Sequence, residues 1–203
     1  MTENLIYVES PILPEVDRRE VLRYAGIRES SPEIEEMLDQ CLSLSKGKLS
    51  SRVWYKIFEI RAEADGYDLG FTKTTSRSLI KTIDGCDRAL VFCATVGAEF
   101  DRLISKYSII SPSVAILLQA LGTERVEALC DEFCHKINSI AGKNGLECTR
   151  RFSPGYGDLP LEVQRDVFCA LDCTVKIGVN LSDNLFMTPS KSVTAIIGLK
   201  NVK

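Results

Sequence analysis

Histidine is almost missing from the 203-residue sequence: His135 is the only one, and beside Cys134 on a helical face it has no evident partner. No catalysis is built on it. A basic excess is missing too. Lys and Arg number 25 against 28 Asp and Glu, a formal charge of −3 with no basic stripe, which argues against a nucleic-acid reader. No apolar run reaches the roughly 18 residues of a membrane span. Met1-Thr2-Glu3-Asn4 lacks the basic start of a secretory leader, so the expected location is the cytoplasm, with no membrane partner. The GxGxxG turn of dinucleotide folds is absent. So are internal repeats and any CxxC pair.

What the chain does carry is an ordinary globular composition, 45% apolar and 26% charged, enough to bury one core. Eight cysteines are spread along it, with Cys130/Cys134 and Cys169/Cys173 each spaced i,i+4. That spacing would let each pair share a helical face, and His135 makes a metal site conceivable. It is equally the spacing of a core face, and in a reducing compartment the default is buried thiols acting as small hydrophobes. No metal site is assigned.

Periodicity supplies the elements. Leu5, Tyr7 and Val8 suggest a short edge strand before Pro11 and Pro14. Val16 to Ala25 predicts a short helix stopped by Gly26. Ser31-Pro32-Glu33 opens a second one, with a hydroxyl cap, Pro in the first turn and early acids, that runs to Gly47. Arg52 to Ala62 favours a strand, with Leu69-Gly70-Phe71 starting a return strand. Ser76 to Ile83 predicts a helix, Ala89 to Val96 a buried strand, and Gly97 leads into a helix through Phe100, Leu103 and Ile104.

Ser111-Pro112 opens the longest helical pattern, apolar on one face through Ile137. Gly122 either bends it or marks a close approach. Glu124, Arg125, Glu127, Asp131 and Glu132 decorate it, and for most of these a solvated face with intrahelical ion pairs is expected. Glu147 to Phe152 predicts a strand, Glu162 to Leu171 a helix, and Val193 to Leu199 a final strand. The class is α+β, a mixed or antiparallel sheet flanked by helices.

One stretch fits no regular element: Arg151-Phe152-Ser153-Pro154-Gly155-Tyr156-Gly157-Asp158-Leu159-Pro160. Pro154 stiffens it, while Gly155 and Gly157 permit positive φ and bare-backbone contact. It either serves only as a connection into the next helix or presents a guanidinium, a phenol and exposed amides to a ligand.

The Arg151–Tyr156 turn, the helix after it with Gly178 and Leu181 beyond, and Met187-Thr-Pro-Ser-Lys-Ser-Val193 leading into the last strand together resemble a known family. That family is the S-adenosylmethionine-binding activation domain of cobalamin-dependent methionine synthase. Its patterns are Arg-Pro-Ala-Pro-Gly-Tyr, a helix, then Met-x-Pro-x-x-Ser-Val. The specific match covers about 147–199; residues 76–135 are only loosely similar, chiefly in Ala94-Thr95-Val96-Gly97 and the long helix.

The resemblance implies a C-shaped α+β domain with a twisted, mainly antiparallel sheet: a helical cap at 1–50 and an activation-domain-like core at 51–203, together one continuous domain. It implies a role in returning an oxidised corrinoid to its methylated form, with S-adenosylmethionine as methyl donor and a flavodoxin-type electron donor. Cobalamin would be carried by a partner. Here Phe152 and Ser153 replace Pro and Ala, and no Asp-x-His-x-x-Gly cobalt-ligand motif occurs. The implied protein is therefore a stand-alone activator, acting in trans on a methionine synthase or another corrinoid methyltransferase and doing little chemistry alone. The alternative is an interaction module that kept the fold without the ligand.

By position in the motif, Arg151 is the expected carboxylate anchor through its two-pronged fork. Ser153, Pro154 and Gly155 would offer backbone, and Tyr156, the expected catalytic residue, a ring and a hydroxyl. Ile197 and Gly198 would meet the adenine side. Glu127 is the candidate for a further contact, with Glu124 its rival; the acid facing the donor's ammonium is left open.

Overall fold

A computed structural model describes residues 13–202. The strand expected at Leu5–Val8 lies outside them. The chain opens with α1 (Arg18–Tyr24), whose first amides Arg19 N and Glu20 N donate to the Asp17 side chain. In α2 (Pro32–Ser45), Ser31 caps Ile34 N as expected. Val21, Leu38 and Cys41 from these helices enter the same buried cluster as the sheet.

β1 (Arg52–Glu59) ends three residues before the predicted strand does; Ile60 N makes one more bond, to the carbonyl of Asp87 ahead of β5, and the pairing stops there. The chain then builds a separate three-stranded sheet from β2 (Arg61–Glu63), β3 (Gly66–Asp68) and β4 (Lys73–Thr74). The return strand thus comes before Leu69, not at it. Then follow α3 (Arg77–Thr82), β5 (Arg88–Thr95), α4 (Ala98–Ile110) and the 32-residue α5 (Pro112–Lys143). The last third holds β6 (Leu146–Cys148), α6 (Val163–Leu171), α7 (Cys173–Ile177), β7 (Asn180–Leu181), β8 (Met187–Thr188) and β9 (Ser192–Asn201).

The main sheet runs β1-β5-β9-β6, every pairing antiparallel, and is packed with helices on both faces. Alternation along the strands sorts the core in two. Tyr55, Leu90, Phe92, Ala195 and Ile197 face α1, α2, α4 and α5. Trp54, Val91, Cys93 and Ile196 face α3, α6 and α7, where the Trp54 indole donates to the Leu171 carbonyl at 2.7 Å. A strand covered on both faces has no polar side to show, hence the unbroken apolar run of β5. Cys41, Cys93, Cys130 and Cys173 are packed within these clusters.

Gly122 is where α4 and the approach to β9 meet α5. A Cβ there would come within 2.6 Å of Phe100 Cε1 and 3.0 Å of Lys191 Cγ, so close packing is the reason for glycine. The charged residues of α5 depart from expectation at Glu124 and Arg125, which are buried at 5% and 3% exposure. Arg125 pairs with Glu124 and donates from Nη1 to Pro14 O at 2.7 Å, while Asp17 N donates to Glu124 Oε1 at 3.1 Å. The pair holds the segment leading into α1 against α5. Sequence spacing could not reveal this, because the covering backbone is more than 100 residues away.

Candidate functional site

The turn at 151–160 has the irregular backbone its composition demands. Gly155 (φ 87°) donates to Leu159 O, Tyr156 N to Ser153 O, and Gly157 sits at φ 55°. A side chain at Gly157 would strike Ser78 Oγ at 2.7 Å, so the turn lies against the first turn of α3. Asp158 completes that junction: its carboxylate accepts from Ser76 Oγ (2.6 Å), Arg77 N (2.8 Å) and Ser78 N (3.0 Å). These bonds, the Ser76 hydroxyl first, hold its pKa well below the carboxylate range. Asp158 therefore caps a helix and fixes the turn.

The strand predicted at 147–152 shrinks to β6, followed by a single bridge in which Phe152 exchanges both backbone bonds with Ile196 at 2.8 Å. That bridge sets the register of the outer edge of β9. Since Ile196 faces outward, so does Thr194 two residues earlier, and its N–H and C=O meet no backbone partner among the described residues. The free stretch of edge and the turn enclose a groove of about 390 Å³. Its walls are Arg151, Ser153, Pro154 and Tyr156 on one side, Ser192, Val193 and Thr194 on the other. Glu127, Gln164 and Met187 also line it. Just before β9, Asp101 holds Ser190 through its backbone N–H and its hydroxyl.

Arg151 is not a free fork. Its Nη2 donates to Glu127 Oε2 at 2.7 Å and to Asp131 Oδ1 at 3.0 Å. Burial alone would lower the guanidinium pKa, but Cys130, Glu127 and Asp131 outweigh it and the net shift is upward. Both two-pronged edges of a guanidinium use one Nη shared with the neighbouring edge, and here that nitrogen already serves two carboxylates. The bidentate carboxylate anchor expected from the sequence is thus not available without displacing an acid; Nε and Nη1 remain for single contacts. The Arg151–Glu127 pair also separates the groove from an acidic cleft lined by Glu15, Asp17, Glu20, Asp131 and Glu132. Even with Arg23 on Glu20 and Arg125 on Glu124, the carboxylates of the cleft outnumber the guanidinium groups and leave the neighbourhood net negative.

Of the expected residues, the structure gathers Arg151, Ser153, Pro154, Tyr156 and Glu127 at the groove, with Tyr156 69% exposed. Gly155 shapes the turn without lining it. Ile197 and Gly198 are elsewhere. Ile197 is buried in the helical core opposite Leu90, and Gly198 bonds Thr149 through both its N–H and its C=O, its missing Cβ filled by Cys86 Sγ. The free position on that edge is Thr194: alternation turns Ile197 the other way, and Gly198, which faces outward like Ile196, is already bonded to Thr149. Glu124, the rival to Glu127, is committed to Arg125.

Two residues at the site went unassigned in the sequence, Asp131 behind Arg151 in the acidic cleft and Gln164 in the groove wall. Asp131 follows Glu127 by four and so shares its helical face, which could have suggested the pair. Gln164 is 6% exposed, lines the groove, and its buried Oε1 has no hydrogen-bond partner among the described residues.

No family model matches the sequence, nor does any curated protein. A solved structure does: the MetH reactivation domain bound to AdoHcy, with a TM-score of 0.66 over 90% of this chain and 73% of that one. The two share a fold. At 15% identity the likeness speaks to architecture alone. The α+β class, with an antiparallel sheet between helices, is the one the resemblance implied.

Proposed function

We propose that this chain binds S-adenosylmethionine in the groove between the Arg151–Tyr156 turn and the edge of β9, and that it supports remethylation of a corrinoid carried by a separate protein. The observation that carries the reading is that the two halves of the motif, distant in sequence, form opposite walls of one groove. Its volume falls within the ~300–1,000 Å³ usual for small-molecule sites. The solved structure of similar fold holds AdoHcy, the demethylated counterpart of the proposed ligand.

The chemistry of the walls matches that ligand end by end. A sulfonium and an ammonium favour surplus carboxylate; Glu127 on the wall and Asp131 in the adjoining cleft together exceed Arg151 by one charge. These ion pairs are partly exposed, so their value lies in orienting the carboxylates more than in stability. Arg151 Nε and Nη1 can each give one bond to the ligand carboxylate. The outward amide and carbonyl of Thr194 offer a donor and an acceptor of the kind an adenine edge reads. Gln164 Oε1 is an acceptor for a ligand N–H or O–H.

The Tyr156 ring, exposed at the mouth, is suited to pack on a cation or on a partner's macrocycle. The corrinoid supplies the methyl-accepting cobalt; this chain holds and orients the donor. The partner in this proposal is a cobalamin-dependent methionine synthase or a related corrinoid protein, with a flavodoxin-type reductant.

Calorimetric titration tests the site. Arg151→Ala is expected to weaken S-adenosylmethionine binding by more than tenfold, about 1.4 kcal/mol. Equal affinities in the two proteins, with melting curves confirming that both are folded, would remove Arg151 from the site. Tyr156→Phe is expected to impair reactivation of a matched corrinoid protein more than it impairs donor binding. If the unaltered chain binds the donor but reactivates none of the corrinoid proteins offered, the activator role fails while the binding site stands.

A further inference from the structure

The groove changes character along its length. Its Arg151–Glu127 end borders the acidic cleft beside α5, on one face of the sheet. Its other end belongs to the opposite face. There Phe152 and Met187 line the groove and pack against the cluster that Val163 and Val167 of α6 share with Ile196. Thr194, two residues before Ile196, turns its side chain to that same face. Gln164, the neighbour of Val163, lines the groove from α6 on this side. The groove thus wraps the edge of β9, charged toward α5 and apolar with one carboxamide toward α6.

We propose that Gln164 determines which base the ligand carries, so that the groove takes a 6-aminopurine and rejects a 6-oxopurine. The proposal rests on the reading that this groove holds S-adenosylmethionine.

Two observations carry it. Gln164 is 6% exposed, and its Oε1, shut off from bulk water, has no hydrogen-bond partner among the described residues. A buried acceptor without a donor is costly, and the missing donor has to arrive through the groove that this side chain lines. The second observation is the polarity of the groove. The ligand's ammonium and sulfonium are drawn to the carboxylates at the α5 end, which leaves the flat base for Phe152 and Met187 at the α6 end, beside Gln164.

Adenine satisfies the unpartnered groups on both sides of it. Its 6-amino group has two hydrogens. One lies beside N1 and meets the edge of Thr194, whose C=O accepts from the amine while its N–H donates to N1. The other lies beside N7 and meets the carboxamide, Oε1 accepting from the amine and Nε2 donating to N7, the pairing glutamine makes with adenine. Hypoxanthine reverses the pattern. Its 6-oxo group is an acceptor and its N1 carries the hydrogen, so the Thr194 carbonyl and Gln164 Oε1 both face an oxygen. Swapping the two ends of the carboxamide only moves the clash to N7.

Calorimetric titration of the full chain with S-adenosylhomocysteine and S-inosylhomocysteine, which differ in the 6-amino or 6-oxo group of the purine, tests the proposal. The unaltered chain is expected to prefer the adenosyl compound by about tenfold or more. Gln164→Leu is expected to lower that preference by about fivefold or more, while affinity for the inosyl compound holds or rises. Should that variant unfold, Gln164→Met, unbranched like glutamine, replaces it with the same readout. Equal loss of both compounds in the variant gives Gln164 a structural role and overturns the proposal. Equal affinity of the unaltered chain for the two compounds overturns it as well, and leaves the groove reading standing. Binding of neither compound overturns both.

Discussion

Gly122→Ala sets two well-understood effects against each other at one position. Gly122 is in the interior of a 32-residue helix, where alanine is favoured over glycine by about 1 kcal/mol. On propensity alone the substitution stabilises. But the new methyl would lie 2.6 Å from Phe100 Cε1 and 3.0 Å from both Phe100 Cδ1 and Lys191 Cγ. Neither neighbour can retreat easily. The Phe100 ring is fully buried, and the Lys191 stem is half-buried with its ammonium bonded to Thr123 Oγ1 at 3.0 Å. Overpacking of this kind costs about 1–3 kcal/mol, so the net expectation is a loss of up to about 2 kcal/mol.

In a chain of this size that is a fall of several degrees in Tm, at about 2–4 °C per kcal/mol. Thermal and urea unfolding of the variant measure it. Introducing Phe100→Leu first removes the obstructing ring edge, and in that background Gly122→Ala should cost less or even stabilise. A more stable Gly122→Ala in the unaltered background would refute the packing argument, and with it the reading that this glycine exists to let α4 approach α5.

Glu124→Gln should be among the most damaging single changes, at about 3–5 kcal/mol, since it leaves the buried Arg125 guanidinium without its counter-charge; urea unfolding measures the loss. Trp54→Phe keeps the apolar ring but abandons the Leu171 carbonyl, an expected cost of about 1–3 kcal/mol by the same assay. Asp158 makes the stability pH-dependent. Its folded pKa is depressed, so its contribution is complete above the unfolded value of about 3.9 and disappears as pH falls through the lower folded value. Asp158→Asn should be less stable than the parent at pH 7 and should lose part of the acid dependence, as read from melting curves between pH 2 and 7.

What the sequence determined by itself is what short-range physics decides. Ser31-Pro32 and Ser76 announce helix starts because a cap is a contact across three residues. The continuous apolar run at 89–96 announces a strand buried on both faces, and the Pro-Gly content of 151–160 announces an irregular turn. The paired motifs also pointed to the right fold and to Arg151, Ser153, Pro154 and Tyr156, which line the groove.

Tertiary structure alone decided the rest, because the deciding partners are remote. Arg151 meets Glu127 and Asp131 from 24 and 20 residues away, Asp158 caps a helix 82 residues earlier, and Glu124 becomes buried when Asp17, 107 residues away, folds over it. A charge on a helix face looks the same in sequence whether water or backbone covers it; only packing changes its free energy. The choice of Thr194 over Ile197 depended on strand register, where a shift of one residue turns every backbone group to the other edge, and its choice over Gly198 on Thr149, a partner 49 residues away.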